Sequence, residues 1–189
     1  MRIEEYQRLA MRTSTEGHDR VENGCLGLIG ESGEIVDAVK KWRFQSGENP
    51  PMPKDKLIDE CGDVLWYCAE LATGLNDSLR YLYDKYNDGF YKDLHPLNAC
   101  STIQLLAVHL SCAAMRPYAE LFDAPQESPE GWRRANAKAD IVGIMVTVRD
   151  ILELHCDSTL EEAMQRNIEK LKRRYPDGFD PEKSLHRAE

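Results

Sequence analysis

This sequence predicts an all-α fold on three observations. Apolar residues recur at helical spacing in its long segments, glycine and proline cluster between those segments, and β-strand signals are weak throughout. The first helix spans about residues 2–12. The second, near 24–43, carries Leu28, Ile35, Val39 and Trp42 on one side at about 100° per residue, and it ends before a Gly/Pro-rich loop from Ser46 to Pro53. A third helix runs from Lys54 to Thr73 with Leu57, Val64, Cys68 and Leu71 as its stripe. Gly74 closes it, and a short helix follows over residues 78–86. Asp88 to Pro96 reads as a boundary. A long apolar helix near 97–121 comes next, then a loop over 124–131 and a helix over 132–155. The last helix ends at Arg174 and takes Ser158 as its N-cap, with Glu161 and Glu162 behind it.

Two acid pairs stand out, Glu31-x-x-Glu34 on the second helix and Glu60-x-x-Asp63 on the third. Glu31 and Glu60 fall at the margins of the apolar stripes, and Glu34 and Asp63 lie one step further round. A pair of this kind also recurs on solvated helix faces, but two pairs at stripe margins place four carboxylates at the edge of the core. Half-buried acids repel one another and lose hydration worth several kcal/mol each unless they are protonated or matched by a cation. A hard divalent ion fits best: Mg²⁺, with Mn²⁺ as a substitute, takes oxygen ligands and bridges carboxylates to substrate phosphates.

Several segments extend the pattern. They are Tyr6-Gln-Arg-Leu-Ala-Met-Arg-Thr13, Gly27-Leu-Ile-Gly-Glu-Ser-Gly-Glu34 with Lys40-Lys41-Trp42, and Asp59-Glu-Cys-Gly-Asp-Val-Leu-Trp-Tyr67. Near the C-terminus come Asn167-Ile-Glu-Lys-Leu-Lys-Arg-Arg-Tyr-Pro-Asp-Gly-Phe179 and Pro181-Glu-Lys-Ser-Leu-His-Arg187. Together with the order of the acid pairs, these resemble the MazG-like all-α nucleoside triphosphate pyrophosphohydrolases. The resemblance implies a MazG-like helical bundle and Mg²⁺-dependent attack of water on the α-phosphorus of a nucleoside triphosphate, giving the monophosphate and pyrophosphate. Glu31, Glu34, Glu60 and Asp63 would hold the metal, one glutamate also orienting or deprotonating the water. Lys170 and Arg174 would clamp phosphates, the other reading of this basic run being a solvated last turn that complements the helix dipole. Tyr67 and Asn167 match nucleotide-contacting positions, the alternatives being that Tyr67 caps the cage by hydrogen bonding and that Asn167 caps or cross-links helices. Lys41 and Trp42 complete the substrate-binding set; Trp42 either stacks on a base or belongs to the core.

Short relatives lack the roughly 80 residues that separate Tyr86 from Asn167. Residues 59–78 lie over residues 139–158 with matched apolar positions and a shared Asp-Ser ending, and residues 102–122 stand in for the first acid helix. This suggests a degenerate internal repeat in which the acid positions have become Ala113, Asp140 and Gly143. The expected organisation is a catalytic four-helix module over residues 1–95 and a degenerate second module over 96–189 that carries the C-terminal nucleotide-contacting segment. Such a chain would be a monomeric pseudo-dimer or would pair again as a homo-oligomer.

Composition excludes other classes. No apolar run approaches the ~20 residues that span a bilayer, and no basic-apolar-small N-terminal signal is seen, so a cytoplasmic protein is expected. Six cysteines occur without a C-x-x-C pair, most of them among apolar helix residues where they read as small buried hydrophobes with reduced thiols, and His109, Cys112, His155 and Cys156 match no common zinc spacing. A net charge of −9 argues against nucleic-acid binding while leaving nucleotides open, since metal neutralises a triphosphate locally. Two other readings remain at this stage: a nucleotide sensor that keeps the cage without turnover, and a helical adaptor, against which the clustered acids speak.

Overall fold

A computed structural model describes residues 1–15, 19–87, 102–125 and 127–176. Seven α-helices are present among them: α1 Ile3–Ala10, α2 Arg20–Gln45, α3 Lys54–Gly74, α4 Leu79–Tyr86, α5 Ile103–Tyr118, α6 Glu130–Ile151 and α7 Leu160–Arg174. No strand occurs among the described residues. The expected boundary at Asp88 to Pro96, the start of the 97–121 helix, and the 177–187 part of the C-terminal segment lie outside them.

Local chemistry sets the helix ends. α2 begins earlier than its apolar stripe suggests because the Asp19 carboxylate accepts from the backbone N–H groups of Val21 and Glu22. The N-cap of α7 is Thr159, one residue later than Ser158, in a capping box with Glu162. Ser158 instead donates its hydroxyl to the Glu162 carboxylate at 3.1 Å. In α5, Pro117 has no N–H to give, and the chain beyond it widens into a π-helical turn over Ala119–Asp123. A second π turn, Leu152–Cys156, ends α6.

Four helices form the centre. α2 packs on α3 and α5, and α6 packs on α5 and α3, around a core that includes Leu28, Ile35, Leu65, Leu106, Leu110 and Ile141. α1 and α7 pack on each other and on α3, while α4 packs on α1 and α6. α1 is fastened to α3 by polar contacts as well. Trp66 donates its indole N–H to the Ala10 carbonyl at 3.1 Å, and Gln7 donates to Thr73 at 3.0 Å and accepts from the Leu79 N–H at 2.8 Å. Cys25, Cys61, Cys68 and Cys156 are buried free thiols, as expected, and Cys112 is a free thiol on the surface.

Candidate active site

The site begins with two glycines on α2. A Cβ at Gly24 would lie 2.8 Å from Leu71 Cβ, and one at Gly27 would lie 2.1 Å from the Tyr67 ring. Only hydrogen fits there, so α2 and α3 run antiparallel in close contact and Tyr67 lies across the gap. This approach brings one oxygen each from Glu31, Glu60 and Asp63 within 4.8 Å of one another. Glu60 is buried, and the other two are half-buried. Glu34 stands outside this group and is exposed, being about 60° further round α2 than Glu31, where no helix among the described residues covers it.

Asp63 occupies the corresponding position on α3 but is covered by α7. Arg166 straps the two helices, its Nε 2.9 Å from Asp59 and its Nη1 2.8 Å from Asp55, and Lys54 pairs with Asp157 below them. At Gly62 a Cβ would meet Asn167 Cβ at 3.0 Å, so glycine lets α7 settle onto α3. Asn167 then donates through Nδ2 to Asp63 Oδ1 at 2.9 Å, and Lys170 Nζ lies 2.5 Å from the same carboxylate. Lys56 pairs with Glu60. Behind Asn167, the fully buried Tyr6 donates its hydroxyl to Asn167 Oδ1 at 3.0 Å.

Two ammonium groups therefore face three carboxylates, and among the described residues Glu31 is the acid of the three without an ion-pair partner. Burial first, then the charges of Asp63 and Glu60, push its pKa up to about 7, against the opposing field of Lys170. Burial also raises Asp63, although Lys170 works against it. The donor set is all carboxylate oxygen, which fits Mg²⁺ or Mn²⁺ and not a soft ion. Among the described residues this is the one such grouping of three, and His109, Cys112, His155 and Cys156 form none.

Two hollows flank the acids. One, of about 280 Å³, is lined by Glu31, Asp63, Tyr67, Arg174, Trp66 and Asn23, among others. The other, of about 400 Å³, is lined by Glu34, Lys41, Trp42, Lys56 and the prolines of the α2–α3 loop. Trp42 is partly buried against the core and donates its indole N–H to the Pro50 carbonyl at 3.0 Å, so it braces that loop while presenting a surface to the hollow. Lys56 joins the two regions, lining the second hollow while its ammonium rests on Glu60. Sequence reasoning singled out neither Lys56 nor Tyr6 for a role at the site. Lys56 carries a signal, four residues before Glu60 on one helix face; Tyr6 carries none, because its link runs through a helix 161 residues away.

Residues 20–87 match the sequence model of the MazG nucleotide pyrophosphohydrolase domain. The chain is also similar to the gene 37 protein of Mycobacterium phage L5, with 46% identity over 52 residues, which are 27% of this chain and 46% of the phage protein. The chain thus spans less than half of that relative's length in the match. No solved structure matches it. No helix among the described residues is long and apolar enough to cross a membrane. The matched segment holds α2, α3 and α4 with both acid pairs, so over residues 20–87 the chain is similar to the MazG nucleotide pyrophosphohydrolase domain, within an all-α fold.

Proposed function

We propose that the chain hydrolyses nucleoside triphosphates, NTP or dNTP, to the monophosphate and pyrophosphate with Mg²⁺ or Mn²⁺ bound at Glu31, Glu60 and Asp63. The observation that carries this reading is the convergence of those three carboxylates beside a cleft that Arg174 lines, with Lys170 paired to Asp63 at its edge. A divalent ion held there supplies neutralisation of the triphosphate and acidifies a bound water. The protein's own groups do the rest. A water oxygen attacks the α-phosphorus, the α–β bridging P–O bond breaks, pyrophosphate leaves, and a glutamate of the site accepts the proton of the water. Lys170 and Arg174 bind phosphate oxygens, Tyr67 and Asn167 position the nucleotide beside Asp63, and Lys41, Trp42 and Glu34 border the part of the substrate that enters the second hollow. In this reading a cytoplasmic setting provides both the nucleotides and the magnesium.

The second half is read as a degenerate copy of the first. α4, which follows α3, packs on α6, while α7, which follows α6, packs on α3, the exchange that a fused pseudo-dimer produces. At the position matched to Glu60, Asp140 is buried and paired to Arg116 at 2.8 Å, so a side-chain cation serves where the first half would use a metal.

The test is incubation of purified protein with Mg²⁺ and a panel of triphosphates. Monophosphate and pyrophosphate are expected in equal amounts, and Glu60→Gln should lower turnover at least a hundredfold. Nucleotide binding without product across the panel would replace this reading with a sensor.

A further inference from the structure

Tyr6 contributes no atom to the acid cluster, yet its hydroxyl reaches the cluster through a single residue. The phenol is fully buried on α1, donating to Asn167 Oδ1 at 3.0 Å and lying 3.2 Å from the Gly62 carbonyl oxygen. Asn167 in turn donates through Nδ2 to Asp63 Oδ1 at 2.9 Å.

Chemistry fixes the direction of this chain of bonds. An ionised Asp63 can only accept, so Asn167 must aim its NH₂ at Asp63 and its carbonyl oxygen at Tyr6. The phenol must then be the donor, and burial, reinforced by the negative field of Asp63, keeps its proton in place. Without the hydroxyl, Asn167 Oδ1 would be a buried acceptor with no donor. The amide would then be held at one end only, and its NH₂ group would fix the Asp63 carboxylate less firmly.

We infer that Tyr6 is a positioning residue for the acid cluster, fixing through Asn167 the orientation of the Asp63 carboxylate for metal binding. The inference rests on the proposed metal site and adds to it a partner on α1, two helices away. Groups that orient a metal ligand from behind typically change affinity 10–100-fold when removed. Tyr6→Phe keeps the ring and its packing and deletes only the donor.

The experiment is a double-mutant cycle read by calorimetric titration with Mn²⁺ alone, with a thermal melt for each variant. Tyr6→Phe should raise the Mn²⁺ dissociation constant about tenfold. In an Asn167→Ala background the same change should have no further effect, because the link is already cut. A purely structural role for Tyr6 would lower the melting temperature and leave Mn²⁺ affinity within twofold of wild type, and that result overturns the inference while leaving the proposed function standing. Equal weakening in both backgrounds overturns it too, since Tyr6 would then act by a route other than Asn167. Failure of the wild-type protein to take up Mn²⁺ removes both readings at once. Should Tyr6→Phe not fold, Asn167→Ala alone must weaken Mn²⁺ binding about tenfold; wild-type affinity there overturns the inference.

Discussion

Glu31 and Glu34 sit three residues apart on α2 and meet different surroundings, and the difference has a measurable consequence. Glu31 is the acid held up to about 7 by burial and by its acidic neighbours. A folded-state pKa raised from the ordinary value near 4.5 stabilises the fold fully below about pH 4.5, and that contribution is lost as pH rises through about 7. At about 1.4 kcal/mol per unit, discounted for the solvent that screens this half-buried acid, the loss is about 1–2 kcal/mol, or a few degrees in Tm for a chain of this size. In EDTA, the wild-type Tm should therefore fall between pH 4.5 and 7, and Glu31→Gln should flatten part of that slope. A residual slope of the same sign should remain from Asp140, pushed up to about 6 because burial outweighs the screened charge of the mostly exposed Arg116. An unchanged slope in Glu31→Gln would show that Glu31 ionises as freely when folded as when unfolded. At this scale the sequence was informative for residue identity and silent on environment. The helical stripes placed Glu31 and Glu60 at the core margin, but the same spacing treats Glu34 and Asp63 as equivalent. They differ because α7 covers α3 at Asp63, while among the described residues Glu34 is left exposed on α2.

At the scale of elements, the site depends on how closely α7 lies on α3, and Gly62 sets that distance. Two effects oppose each other in Gly62→Ala. Replacing glycine by alanine inside a helix favours the fold by about 1 kcal/mol, while a new methyl 3.0 Å from Asn167 Cβ and 3.3 Å from the Ala163 carbonyl must push α7 outward by a few tenths of an ångström. Overpacking of this kind costs about 1–3 kcal/mol. The net change in stability should be small, a Tm within a few degrees of wild type, whereas the Asn167 and Lys170 contacts to Asp63 should lengthen and turnover should fall tenfold or more. Wild-type turnover with an unchanged Tm would mean that α7 is not part of the working site. Helix existence was legible in the periodicity, and six of the seven helices begin or end within about two residues of the pattern's limits. The docking of α7 was not, because its partners lie more than 100 positions away: Asp55 and Asp59 read locally as ordinary helix-surface acids, and the spacing that marks Asp63 as a core-margin acid does not say which helix covers it.

At the scale of the whole molecule, the two expected modules do not separate cleanly along the chain. α7 of the second half packs on α1 and α3 of the first, α4 of the first packs on α6 of the second, and α2 and α5 share one continuous core. Domains that melt independently need a boundary that few contacts cross, and here α2 on α5, α3 on α6 and α7, and α4 on α6 all cross between the halves. Heat or denaturant should therefore unfold the chain in one step, with coincident transitions by helical circular dichroism and tryptophan fluorescence and a calorimetric enthalpy equal to the van 't Hoff value. Trp42 and Trp66 report on the first half and Trp132 on the second, so selective replacement of Trp132 by Phe tests the coincidence half by half. A first half that melts apart from the second would make the chain two domains joined in sequence, and the completion of the acid site by α7 would then have to survive without the shared core.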